Sequence, residues 1–302
     1  MKRRDFIQKT AAGSALVLGG LSLSSFTAPE VKKITILHTN DVHSHIDPFP
    51  VDDPKYANMG GAARRASAIQ QIRQQNPNTL LLDAGDIFQG TPYFNYYGGE
   101  LEFKLMSMMQ YDLATLGNHD FDNGLEGFHK QLPHASFDFV SANYDFKNTI
   151  LDGRIKPYKI FVKDGIKIGV FGLGIEFAGL VEKKNYKETI YNDPLGVAQD
   201  MARILRHTEK CDLVICLSHL GFIYKDEPSK ISDLTLARNT KDIDLIIGGH
   251  THTFLNKPYI EKNIDGKEAL VNQVGCYGLN LGQIDFYFEK GKMSSKGRTI
   301  VV

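Results

Sequence analysis

Apolar and polar positions divide the chain into short, fully apolar runs and longer stretches with helical spacing. The runs "ITIL" (34–37), "TLLLDAG" (79–85), "LATLG" (113–117), "FVSAN" (139–143), "LVICLSH" (213–219) and "LIIGGH" (245–250) are rich in β-branched residues and predict buried strands. Between them, residues 61–75, 99–110, 124–132 and 194–208 repeat apolar positions at three and four residues, which predicts helices. In "YKIFVKDGIKIGVFGLG", two strand-like runs flank Asp164-Gly165, a hairpin signal. Near the end, "IDGKEALVNQV" and "GQIDFYFEKGK" alternate in period two and predict antiparallel strands. The pattern is that of an α/β protein whose mixed sheets are covered by helices. No internal repeat, low-complexity stretch or linker interrupts residues 30–302, which read as one domain.

The first 29 residues differ. A basic start is followed by a weakly apolar stretch from Ala11 to Leu23 and then by small polar residues. Thirteen residues fall short of the roughly 20 needed to span a bilayer, so the anatomy is that of an export signal. Arg3 and Arg4, followed by Asp5, Phe6 and Ile7, resemble the twin-arginine motif, which implies export to the periplasm of an already folded protein. An uncleaved signal would leave the protein tethered to the membrane. No later segment reaches membrane-spanning length.

Composition narrows the picture slightly. Apolar residues make up 42% and charged residues 23% of the 302 positions, ordinary for a globular protein with a sizeable core. Net charge is zero, which argues against a nucleic-acid surface. Cys211, Cys216 and Cys276 match no zinc-binding spacing, and at most one pair of the three can close.

The chemistry sits where the runs end. Asp41 and His43 follow the first, Asp86 the second, Asn118 and His119 the third, His219 the fifth, and His250 and His252 the sixth. Any one of these is ordinary as a turn or cap residue. Five of the ten histidines falling at strand exits is a joint pattern that turn chemistry does not explain. Functional groups gather at strand ends in open α/β sheets. Mixed nitrogen and oxygen donors suit a pair of divalent ions, and Asp86, alone on its strand end, is the natural carboxylate bridge between them. The donor types leave Mn, Zn, Fe and Mg open.

In their order, D-x-H, GD-x(2)-Q-G, GNHxFD, a lone late histidine and GHxH resemble the calcineurin-like metallophosphoesterases. More narrowly, "ILHTNDVHSHI" and "YDLATLGNHDFD" are similar to the signature segments of the 5′-nucleotidase family. That resemblance implies a four-layer αββα sandwich. It implies one metal held by Asp41, His43, Asp86 and His252, and a second held by Asp86, Asn118, His219 and His250. His119, oriented by Asp122, would stabilise the transition state of hydrolysis by a metal-bound hydroxide, with Asn118 also touching substrate. Asp120 replaces the usual Glu, and His252 stands where some members carry Gln. His38 and His45 are expected to be supporting or structural, and His129, His134 and His207 to be solvated. Tyr93 and Phe94, in the aromatic stretch "QGTPYFNYYGGE", are candidates for contact with the leaving group, with a docking patch and packing beneath a neighbouring helix as the alternatives.

The family's members continue into a C-terminal domain that holds the nucleoside, whereas this sequence ends at Val302. The expected substrate is a phosphate ester, best a nucleotide, with a separate C-terminal-type nucleotidase protein completing a split 5′-nucleotidase. Alternatives are a stand-alone phosphomonoesterase or phosphodiesterase acting on UDP-sugars or cyclic nucleotides, and a non-catalytic metal-binding subunit.

Overall fold

Successive residues of a strand point to opposite faces, and the three hydrophobic cores record this alternation. In the computed structural model, which describes residues 31–302, Ile34, Ile36, Leu80 and Leu82 face the same core as Leu213, Ile215, Leu217, Leu245 and Ile247. Their neighbours Leu37 and Leu81 turn the other way, into a second core. Val214, Cys216 and Ile246 turn into a third. Two sheets therefore pack face to face, and each carries helices on its outer side. This is the four-layer αββα arrangement. The export signal expected over residues 1–29 lies outside the described residues.

One sheet has the order β14 (Lys292–Val301), β13 (Asn280–Glu289), β1 (Lys32–Thr39), β2 (Thr79–Asp83), β3 (Leu113–Ala114) and β4 (Asp138–Phe139). The other runs β11 (Tyr259–Lys262), β12 (Glu268–Asn272), β10 (Leu245–Gly248), β9 (Leu213–Ser218), β7 (Ile166–Leu173) and β6 (Tyr158–Lys163). A small antiparallel pair, β5 (Tyr144–Asp145) and β8 (Ile190–Tyr191), stands apart. Within the first sheet β1 to β4 are parallel, and within the second β7, β9, β10 and β12 are parallel. Parallel strands bring their carboxyl ends to one edge. Each fully buried Leu or Ile between the sheets contributes roughly 1.5–3 kcal/mol, so the inner core is the frame that fixes where those ends lie.

On the outer side of the first sheet lie α1 (Ala62–Gln75), α2 (Pro92–Tyr97), α3 (Glu100–Met108) and α4 (Gly124–Gln131); the short α5 (Lys183–Tyr186) packs against α4. The second sheet is covered by α6 (Pro194–Arg203) and α7 (Asp233–Asn239). Asp193 caps α6 by accepting from the Leu195 and Gly196 amides, with Pro194 at the first turn. Ser232 and Thr235 close a reciprocal capping box on α7.

Several expectations are revised. The helical stretch to residue 208 leaves α geometry at Arg203 and ends in a π turn over Ile204–Thr208. "FVSAN" and "LATLG" yield only two-residue strands, β4 and β3. The alternating run before residue 274 forms β12, antiparallel to β11 but parallel to β10, because alternation reports a strand's faces and not its direction. The hairpin at Asp164-Gly165 is present as β6–β7, and β13 pairs antiparallel with both β1 and β14. All three cysteines are buried and free.

Candidate metal centre

The loops that leave β1, β2, β3, β9 and β10 meet at the common carboxyl edge. The first two are laced together by backbone bonds: Asp41 N donates to Gly85 O (2.9 Å), His43 N to Asp86 O (3.0 Å) and Ser44 N to Ile87 O (2.9 Å). Asp41, His43, Asp86, His250 and His252 all have positive φ, between 50° and 73°. Left-handed backbone at non-glycine residues is uncommon, although Asp and His adopt it more readily than most. Here it turns the chain back on itself so that side chains from separate loops face one point. Gly117 runs so close to Asp86 that a Cβ there would fall 2.2 Å from Oδ1, which is why the third loop begins with glycine.

Among the described residues, two groups of side chains have the reach to hold a cation: Asp41, His43 and His252, and Asp86, His219 and His250. In the first, His43 Nε2 lies 3.0 Å from His252 Nε2, and His252 Nε2 lies 3.4 Å from Asp41 Oδ1. In the second, His219 Nε2 is 3.0 Å from Asp86 Oδ2. The groups touch, since Asp86 Oδ2 is also 3.7 Å from His43 Nε2, and His219 Nε2 is 3.9 Å from Asp41 Oδ1. Asn118 Oδ1 joins the second group at 2.9 Å from His250 Nδ1.

The rings are aimed from behind. His219 Nδ1 faces Ala84 O at 2.7 Å and His43 Nδ1 faces Phe88 O at 3.2 Å. Donation of Nδ1–H to a carbonyl leaves the Nε2 lone pair pointing into the site, the usual support for a metal-binding imidazole. His219 Nε2 is completely buried, and the Asp86 carboxylate 3.0 Å away is not aligned to hydrogen-bond it. A buried lone pair aimed at a carboxylate, beside two further Nε2 atoms 3.0 Å apart, calls for positive charge between them. The donor set therefore fits divalent cations bound through nitrogen and oxygen.

The pKa shifts express the same demand. Burial is the largest influence on His219 and would depress it, yet Asp86 and Asp41 together hold it up at about 10. His252 is likewise pushed down by burial but held at about 10, chiefly by Asp41. His250 is lowered to about 4 by burial and then by His219. Burial would raise Asp86, but the surrounding imidazoles, His219 first, keep it well below the usual carboxylate range. Carboxylates thus draw protons onto two of the rings, and a bound cation would take the place of those protons.

His119 lies beside these groups, its ring 5.3 Å from that of His43. Its backbone N–H donates to Asp86 Oδ1 (2.8 Å) and its Nδ1 meets Asp122 Oδ2 at 2.9 Å. The Asp122 hydrogen bond is the main reason its pKa is raised, and partial burial opposes it. Asp120, fully buried, accepts from the Gly117 (2.8 Å), Asp86 (3.0 Å), Ile87 (2.9 Å) and Phe88 (3.2 Å) amides. One carboxylate thereby fastens the second and third loops together.

Sequence reasoning missed several supporting residues. Asn40 donates to Asp41 Oδ2 at 2.6 Å and accepts from Val274 N at 3.0 Å. Gln273 donates to Gly249 O (2.6 Å) and accepts from Thr253 N (3.0 Å), bracing the loop that carries His250 and His252. Buried Asp83 and Asp233 accept from Gly85 N and from Ser218 Oγ. A polar residue at the end of an otherwise apolar strand was the available signal for Asp83 and Gln273. His38 is completely buried and bridges the two sheets to Asn272 (2.8 Å), and His45 Nδ1 meets His43 O at 2.9 Å. His207 is exposed and pairs with Asp242, while His129 and His134 are half-buried rather than solvated. Phe94 is buried against Phe88 and offers no surface to a leaving group, which removes it as a candidate. Tyr93 donates to Asp47 Oδ2 at 2.6 Å.

Residues 34–254 match the family described as calcineurin-like phosphoesterases. The chain is 35% identical over 293 residues to a snake venom 5′-nucleotidase of Crotalus adamanteus, covering 89% of this chain and 48% of the relative. It is 32% identical to the human 5′-nucleotidase, covering 97% of this chain and 54% of that protein. The chain thus spans about half the length of the curated relatives it matches. Among solved structures, a 5′-nucleotidase precursor from Thermus thermophilus superposes with a TM-score of 0.80 at 32% identity, covering 90% of this chain and 55% of that one. Fold, ordered motifs and converging side chains agree, and the chain belongs to the calcineurin-like phosphoesterase family.

Proposed function

We propose that this chain is a dinuclear-metal phosphohydrolase that releases phosphate from 5′-nucleotides or closely related esters. The observation that carries the reading is the contact between the two donor groups through Asp86, whose Oδ2 is within 3.7 Å of a histidine from each. Asp41, His43 and His252 would hold one ion, and His219, His250 and Asn118 the other, with Asp86 serving both. Ions held there would polarise the phosphoryl oxygens and acidify water.

The chain's own residues complete the chemistry. Asp122 accepts from His119 Nδ1, which orients the ring and favours its protonated form. His119 then donates to a phosphoryl oxygen as charge develops and passes its proton to the departing ester oxygen. Water adds at phosphorus as that bond breaks, and a proton released from it restores His119. Asn118, one residue earlier, hydrogen-bonds the phosphate through its amide N–H while its Oδ1 faces His250. The 5′-nucleotidases among the relatives make a nucleotide the first substrate to try.

The test is phosphate release by the chain, stripped of metal and reloaded with Mn²⁺, on AMP, an aryl phosphate and an aryl phosphodiester, with His119→Ala as control. Preference for AMP supports a nucleotide enzyme acting alone. Weak activity on all three, lost in His119→Ala, means that recognition of the base needs residues beyond 31–302, as in a split enzyme. No metal-dependent activity with any ester sinks the proposal. Export by residues 1–29 belongs to the same reading, and retention in the cytoplasm of wild type and an Arg3→Lys, Arg4→Lys variant alike would refute it.

A further inference from the structure

Beside the first donor group, a run of aromatic rings leads away from the metal centre and ends at the surface. Tyr277 begins it, with ring centroids 5.8 Å from His252 and 6.0 Å from His43. Tyr56 follows, 6.3 Å from Tyr277, and Phe254 lies 6.4 Å beyond it at an interplanar angle of 25°. Phe49 supports the run from beneath, 5.2 Å from Tyr56 and 5.9 Å from Tyr277.

Three details set this run apart from ordinary core packing. Phe254 is 47% exposed, although it lies only two residues from His252. Its ring rests over Gly275, where a Cβ would meet it at 2.2 Å, so the backbone leaves room for the ring to lie flat. Tyr277 has φ of 60°, unusual for so bulky a residue, and its N–H donates to the carbonyl of Asp41 at 2.7 Å. The same residue that offers a carboxylate to the metal centre thus fixes the first ring of the run. Strained backbone held in this way, next to reacting groups, points to function. At the far rim, Lys55 Nζ sits 4.8 Å from the Tyr56 ring centroid.

We infer that Tyr277, Tyr56 and Phe254 form a ledge that takes the flat leaving group of the substrate while its phosphate occupies the metal centre. The inference rests on the phosphohydrolase reading and adds to it a subsite for an aromatic base or aryl ring built from this chain's own residues. A sugar-sized spacer carries a nucleotide's base away from its phosphate, and the run of rings leads stepwise from His252 to the exposed Phe254. Every nucleobase presents a π face, so stacking here would prefer aromatic leaving groups without choosing among bases.

The experiment compares kcat/KM for AMP with that for glycerol phosphate, which has no ring, in wild type, Phe254→Ala and Tyr56→Leu. Loss of a base stack on one ring should lower the AMP-to-glycerol-phosphate ratio by about tenfold in Phe254→Ala, mainly through KM. An unchanged ratio, with both substrates equally affected or unaffected, overturns the ledge. Calorimetric binding to the Mn²⁺-loaded His119→Ala protein separates this from the parent reading, because it needs no turnover. AMP should bind about tenfold tighter than ribose 5-phosphate, and Phe254→Ala should erase the difference. Equal affinities refute the ledge even if the enzyme is a phosphohydrolase, and a tenfold difference supports it even if turnover is absent.

Discussion

The two donor groups meet at one carboxylate, yet His219 in one and His252 in the other sit in different environments. His219 is completely shielded from solvent, held by Ala84 O, and lies over the core between the sheets. His252 keeps 34% of its side chain exposed and stands at the start of the aromatic run. Each group holds two buried donors and one half-buried donor, so the contrast lies between two rings: His219 is set by the fold, and His252 stands open to solvent. The difference teaches that the rings of a candidate binuclear site need not be equivalent. His219 is part of the protein's architecture, whereas His252 can be altered at little structural cost.

The most severe way to break this comparison is to remove what the groups share. Asp86→Asn keeps the shape and removes the charge, and should lower phosphate release by more than about 100-fold, since even changes outside a metal's direct ligands cost 10–100-fold. Elemental analysis should show both ions weakened. Retention of one tightly held ion and most of the activity would mean that Asp86 serves one group alone.

Next, the two rings are separated by stability without metal. His219→Ala leaves Ala84 O buried without its partner, a loss of about 1–3 kcal/mol. His252→Ala at the exposed side should stay within about 0.5 kcal/mol of wild type. Denaturant unfolding in the presence of a chelator measures both, and equal losses would abolish the distinction between an inner and an outer ring.

A smaller effect should follow from loosening the second and third loops. Asp120→Asn replaces one acceptor oxygen with a donor facing backbone N–H groups, and should weaken metal binding by about tenfold. Asp120→Glu, which restores the carboxylate, should recover part of it. Identical affinities for Asn, Glu and wild type would show that the four amide bonds do not position the ligands.

A last effect, spread over several pH units, concerns the frame itself. Burial lowers the His38 pKa from 6.5 to about 3, so the folded ring stays neutral while the unfolded chain takes up a proton below about 6.5. The unfolded state then binds more protons, and stability falls as pH falls through that window, by up to about 1.4 kcal/mol per pH unit. His38→Gln should show a shallower loss between those limits in unfolding curves taken at several pH values. Parallel curves for the two proteins would rule out a neutral buried His38.

Much of this was legible because strand ends and ligand residues are adjacent in the chain. A buried apolar run that stops at Asp41, Asp86 or His219 announces both the strand and the donor. What escaped has physical causes. The carbonyls of Ala84 and Phe88 aim His219 and His43, but every residue carries a carbonyl and none stands out in a sequence. Gln273 and Asp233 act across loops distant in the chain. The stretch "PYFNYY" became a short helix because Thr91 caps it and Gly98 ends it in left-handed geometry, while its spacing is too brief to display a helical period. The inward turn of Phe94 is hidden for a related reason, since an aromatic cluster in a sequence does not say which ring turns inward.

The left-handed backbone at Asp41, His43, Asp86, His250 and His252 has a consequence for how this protein tolerates change. Left-handed geometry costs an L-residue roughly 1–2 kcal/mol, a penalty that glycine escapes. At each of these positions, therefore, a mutation to glycine relieves local strain while deleting a donor. Selection for stability alone would drift toward an inert relative with the same fold and smooth, empty turns. At these five positions a donor stands where glycine would be the more relaxed residue.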